Sequence, residues 1–207
     1  MSRIAVIDFE TTGISPGQGD RATEVAIVLL DHGKVVDRFQ SLMNAGVHIP
    51  AFITQLTGIT NAMVQAAPPA EAVMAEAARF VGEVPMVAHN ASFDRRYWVA
   101  ELARAGQAAQ QPFACTVLLS RRLYPEAPSH KLGNLVDFFH LPRTGKAHRA
   151  LADAEMAAEL LGRIQHDLRT RHGVPNPDHA FLMGLQRCTK PALAKLLRQV
   201  AAQACPT

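Results

Sequence analysis

Cysteine is scarce in this chain. The three that occur, Cys115, Cys188 and Cys205, are odd in number and widely spread. They spell neither a metal-ligand spacing nor a disulfide framework, so a reducing, cytoplasmic setting is expected. Long apolar runs are also missing. The longest, Val25 to Leu30, is far short of the ~20 residues needed to span a bilayer, and no membrane association is expected. No charged-then-apolar leader is expected ahead of the first strand pattern. There is no internal repeat and no low-complexity tract. What remains is 207 residues, 48% apolar and 19% charged, enough for one globular domain with a large core and a small appendage.

The net charge of +3 hides an asymmetry. From Leu161 onward seven Lys and Arg face two acids, Asp167 and Asp178, a balance of +5; the preceding part carries 14 bases and 16 acids, a balance of −2. An acidic body with a basic tail suits a polyanionic partner, although solvated helix faces also carry such charge. The expected division is a domain over 1–170 and a basic helical C-terminal extension over 171–207.

Apolar β-branched residues at 4–7 predict a buried central strand. Ala22 to Asp31 and Lys34 to Met43 predict two more, joined by a hairpin at Asp31-His32-Gly33. Short helices are expected at Phe52 to Gly58 and after Thr60, then a longer one from Ala70 to Val81. Further elements are a short strand at Pro85 to His89, a helix from Ala91 to Arg104, and a strand, or a strand running into a helix, from 114. Helices follow at His130 to Phe139 and Ala147 to Arg171, then a turn at Gly173 to His179 and one amphipathic helix carrying Leu193, Leu196, Leu197 and Val200. This is an α/β pattern, a meander followed by alternating strands and helices on a mixed sheet.

The first strand ends in Asp8-Phe9-Glu10-Thr11-Thr12-Gly13. Side chains alternate along a strand, so Asp8 and Glu10 share a face. Two like charges about 4 Å apart repel by roughly 1 to 4 kcal/mol, and a hard divalent cation turns that repulsion into ligation. A solvated strand end carries such a pair too. Gly13 suits a sharp exit turn. Asp94 falls in the first turn of the helix after the fourth strand, where the helix dipole favours an anion. Asp153 follows His148 by five residues, a spacing that does not share a helix face, which puts His148 on the loop before the helix.

In combination these acids and the histidine resemble the DEDDh family of 3′–5′ exonucleases, the DnaQ-like group of the ribonuclease H-like superfamily. Asp8 to Gly13 looks like its first motif, His89 to Asp94 like its second, and His148-Arg-Ala-Leu-Ala-Asp153 like its third. Leu56-Thr57-Gly58-Ile59 is similar to its usual short element after the meander. The resemblance covers residues 3 to 165 and implies a ribonuclease H-like mixed five-stranded sheet flanked by helices. It also implies two divalent ions, Mg²⁺ or Mn²⁺, held by Asp8, Glu10, Asp94 and Asp153, with His148 as general base. An imidazole changes charge near neutral pH, which suits that task.

The same resemblance makes Thr11 and Thr12 candidates to hold the terminal nucleotide. Ile14 and Ile59 become candidates to wedge against bases, and Asn90 a candidate to orient substrate; core packing or helix capping would explain these equally. Lys146 and Arg149 flank the histidine and are placed to touch phosphate or solvent, while His89 and His130 read as structural. The implied partner is a nucleic acid with a free 3′ end, single-stranded DNA preferred, because the first motif looks more like that of proofreading subunits such as the polymerase III epsilon exonuclease domain. Polymerase association, DNA repair and proofreading belong to that expectation, although no clamp motif is found. An RNA 3′-exonuclease and a non-catalytic nucleic-acid-binding module are the alternatives. The five filled catalytic positions argue against the second.

Overall fold

The computed structural model describes residues 3–143, 145 and 148–204. A five-stranded mixed sheet runs in the order β3-β2-β1-β4-β5. Its members are β1 (Ile4–Thr11), β2 (Ala22–Asp31), β3 (Lys34–Leu42), β4 (Met86–Ala88) and β5 (Phe113–Cys115). The first three form an antiparallel meander, and β4 and β5 join β1 in parallel. The β2–β3 turn has His32 and Gly33 both at positive φ, 51° and 78°, as a primed hairpin turn requires.

Helices cover both faces. On one side lie α3 (Ala70–Val81) and α4 (Ala91–Arg104). Their core includes Met74, Tyr97 and Trp98, packed on Ala5, Ile7 and Phe9 of β1. On the other lie α5 (Thr116–Leu123), α6 (Leu132–Phe138) and the long α7 (Ala150–Thr170), packed on Ile4 and Val6. Odd residues of β1 thus serve one core and even residues the other, the period of two made visible. Two short helices, α1 (Ala51–Thr57) and α2 (Asn61–Gln65), lie between the meander and α3. α1 closes on Gly58 in the left-handed region, and α2 opens on Thr60, whose hydroxyl accepts from the Met63 N–H at 3.2 Å.

The stretch after Gly173 holds two helices where the sequence pattern suggests one: α8 (His179–Leu185) and α9 (Lys190–Ala204). α8 is capped by Asp178, which accepts from the Phe181 N–H at 2.8 Å. Val174, Leu182, Leu185 and Leu193 are buried in the α7-side core. Gln186 accepts from the Cys115 N–H at 2.7 Å, and a His179 ring nitrogen lies 2.8 Å from the Met86 carbonyl. Among the described residues no helix is long and apolar enough to cross a membrane.

Candidate active site

Asp8 and Glu10 continue the row begun by Ile4 and Val6, so β1 aims them at the face covered by α7. Asp153, in the first turn of α7, meets them there. One oxygen from each of these three carboxylates lies within 4.8 Å of the others. Burial raises Asp8 well above its ordinary value, and the charges of Asp94, Asp153 and Glu10 push it further the same way. Burial, then Asp153 and Glu24, push Glu10 up to about 8. Asp153 is raised by burial, opposed by the His148 backbone N–H that it accepts at 2.9 Å. The donor set is all oxygen, with no thiolate or imidazole inside the triad. That chemistry, and the mutual repulsion, suit a hard divalent cation.

Asp94 converges on the same place from the opposite layer. It is 2% exposed, sits in the first turn of α4, and its Oδ1 accepts from the Phe9 N–H at 3.3 Å, between the two strand acids. Burial pushes it up to about 8, against the pull of that backbone bond. The cluster close enough to share one ion is Asp8, Glu10 and Asp153, and Asp94 stands just outside it, its charge felt at Asp8. Asp94, its carboxylate engaged by the β1 backbone, thus flanks the cluster.

His148 precedes α7 on a loop, exposed and at φ 61°. Its neighbour Arg149, half-buried, is paired rather than free. It forks onto Glu24 through Nε at 3.0 Å and Nη2 at 2.8 Å, and the same carboxylate accepts from the Ala150 N–H at 3.1 Å. Glu24 is fully buried and directly opposite Glu10 on β2. These bonds pin the start of α7, which begins at Ala150 rather than at the expected 147. Lys146 lies outside the described residues.

The acids form the floor of an open cleft of about 690 Å³. Its walls are the chain from Thr11 to Ile14, helix α1, and Phe93. Ile14, Phe52 and Leu56 are 72%, 65% and 49% exposed there. Ile59 is not among them. It is fully buried with Ile49 and Val64 in a small core under α1 and α2, so its place as a base contact is withdrawn. Phe52 and Leu56 line the cleft instead. An apolar pair spaced i, i+4 on a seven-residue helix was the available signal, overlooked because short helices usually bury such pairs.

The threonines are buried and largely committed. Thr12 donates its N–H to the Arg21 carbonyl at 2.9 Å, its hydroxyl oxygen accepts from the Arg21 N–H at 3.0 Å, and Thr11 donates its hydroxyl to the Gly13 carbonyl at 2.6 Å. Both line the cleft. At Gly13 a Cβ would lie 2.3 Å from the Asp20 carboxylate, so any larger residue would displace that side chain from the Ser15 N–H it accepts. Asn90 occupies the α4 cap position at φ 71° without a capping bond and faces a neighbouring groove instead of this cleft. His89 bridges the Thr116 hydroxyl and the His130 carbonyl at 2.9 and 3.0 Å, and burial drives it down to about 4.

Known proteins resemble this chain in sequence and fold. The chain is 40% identical over 168 residues to the 3′-5′ exonuclease DinG of Bacillus subtilis, covering 81% of this chain and 18% of that protein. It is 39% identical over 156 residues to a PolC-type DNA polymerase III of Clostridium perfringens, covering 75% and 11%. The chain thus spans under a fifth of the curated relatives it matches. Among solved structures, exonuclease X bound to 5′-overhanging duplex DNA is 32% identical, with a TM-score of 0.64 over 79% of this chain and 91% of that one. Exonuclease I of E. coli with a dT13 oligonucleotide shares the fold at TM-score 0.72 and 17% identity, over 89% and 46%. The RNase T family model, described as an exonuclease, matches residues 5–161, from the first strand into the long helix. A match of that extent leaves one assignment: this protein belongs to the exonuclease family.

Proposed function

We propose that the chain hydrolyses phosphodiester bonds at the 3′ ends of DNA and releases nucleoside monophosphates. The observation that carries this reading is the convergence of Asp8, Glu10 and Asp153 on the floor of a cleft whose walls are exposed apolar side chains. Acids and apolar walls are what a phosphate and a stacked base require. The reading gives two divalent ions, Mg²⁺ or Mn²⁺, to Asp8, Glu10 and Asp153, with Asp94 holding one directly or through water. Ions bound there supply positive charge to the phosphoryl and leaving oxygens.

The chain's own groups do the rest. His148, on the cleft rim, takes the proton of the attacking water. Its backbone N–H bond to Asp153 ties the placement of the base to the placement of the acids. Ile14, Phe52, Leu56 and Phe93 offer faces on which the terminal base stacks, and Thr11 and Thr12 border its sugar. Asn90 is better suited to the strand beyond that nucleotide. DNA is favoured over RNA by the names of relatives at 32% and 39% identity, and the PolC-type relatives favour work alongside a polymerase.

The test is shortening of 5′-labelled single strands of DNA and RNA of equal sequence. A ladder growing from the 3′ end in Mg²⁺ or Mn²⁺, absent in EDTA, is the expected result, with DNA the faster. Equal activity of wild type and Asp8→Asn overturns the reading.

A further inference from the structure

A second groove, of about 780 Å³, shares His148 and Asp153 with the first. Its lining is of opposite character. Among the described residues the first cleft is lined by no lysine or arginine, whereas Arg121, Lys131 and Arg143 line the second, with Asp153 its one acid. A smaller hollow of about 320 Å³ continues it through Asn90, Val117 and Arg121 and adds Arg95. Arg95, Arg121 and Lys131 are exposed and make no ion pair among the described residues; Arg143 is held by Asp137 at 2.7 Å. Unpaired cations along a concave track match a sugar-phosphate backbone.

We propose that this groove seats the upstream phosphates of the strand being shortened. The inference rests on the exonuclease reading. If the terminal base lies in the apolar cleft and the scissile phosphate over the acids, the rest of the strand must leave on the far side of His148 and Asp153. That side is the basic groove. Bases and phosphates are thereby sorted into two clefts that meet at the acids.

Binding of labelled oligothymidylate is measured by anisotropy in an Asp8→Asn background with Mg²⁺. Lengths are a dinucleotide and about 12 nucleotides, a span typical of single-strand sites. Arg121→Ala with Lys131→Ala should weaken the longer strand by about tenfold or more and flatten the salt dependence by about 0.7 per lost phosphate contact. In the otherwise wild-type enzyme the same pair should erase most of the kcat/KM advantage of the longer strand over the dinucleotide. Lys34→Ala with Arg79→Ala removes equal charge from exposed positions elsewhere and should do neither. Unchanged affinity and salt slope, or an equal loss in the control pair, overturns the proposal. A wild-type enzyme inactive on every length would instead overturn the exonuclease reading itself.

Discussion

Asp8 sits where four other carboxylates act on it, and its charge is disfavoured until a cation arrives. Asp8→Asn should therefore do two opposite things. Activity should be lost entirely, while the melting temperature in EDTA should rise by a few degrees, since a neutral amide relieves like-charge repulsion of roughly 1 kcal/mol or more. Calorimetry beside the strand-shortening assay checks both, and a variant that is inactive but less stable in EDTA contradicts the electrostatic account. His148→Ala should lower kcat by about 10² to 10⁴, the ordinary share of a general base, and leave the fold intact because the residue is exposed. Phe52→Ala with Leu56→Ala should raise KM by about tenfold with little change in melting temperature, as both side chains face the cleft. A collapse in stability would mean that they are core residues.

Among the elements, β1 and the start of α7 decide the geometry. β1 carries its acids on the α7 face through simple alternation. The helix start is set by Glu24, which takes the Arg149 fork, the Ala150 N–H and a 2.8 Å bond from Gln40. These partners hold its carboxyl below the usual range despite burial. Glu24→Gln should cost about 2 to 4 kcal/mol, because a half-buried guanidinium loses its fork. It should also lower kcat more than it changes KM, since the helix end that presents Asp153 and His148 loosens. Equal stability of the variant, by denaturant unfolding, would show that α7 is anchored elsewhere.

At the scale of the whole molecule, protons and divalent ions compete for one site. Without metal, the folded chain keeps Glu10 and Asp94 protonated up to about 8, whereas the unfolded chain releases those protons near 4 to 5. The folded state thus holds more protons across that range, and raising the pH costs stability. His89, pushed down to about 4, acts oppositely below its ordinary 6.5, so the acids stand out between about 6.5 and 8. In EDTA the melting temperature should fall over that window, by about 4 to 8 °C for a loss of about 2 kcal/mol. Saturating Mg²⁺ should abolish the slope, because ligation replaces the protons. A flat profile in EDTA would mean that the acids are not destabilising when ionised.

Much of this was written in local pattern. Alternation put Asp8 and Glu10 on one face, the five-residue spacing took His148 off the helix, and the glycine, proline and threonine signals marked the hairpin and the caps. Each of those rests on interactions within one element or one turn. Other features depend on which surfaces meet. Asp94 stands aside from the triad because α4 brings it in from the opposite layer onto the Phe9 N–H. Ile59 is core and Phe52 is cleft because α1 and α2 close over a small apolar cluster. α8 escaped notice since a seven-residue helix shows little periodicity, and it is held by β5 and the α7-side core. The chain by itself fixed the chemistry of the site, because ligand type, order and local spacing are properties of residues. Only the tertiary structure decided which groups share an ion, which apolar side chains face substrate and where the unpaired cations lie, because burial and contact are set by elements far apart in the chain.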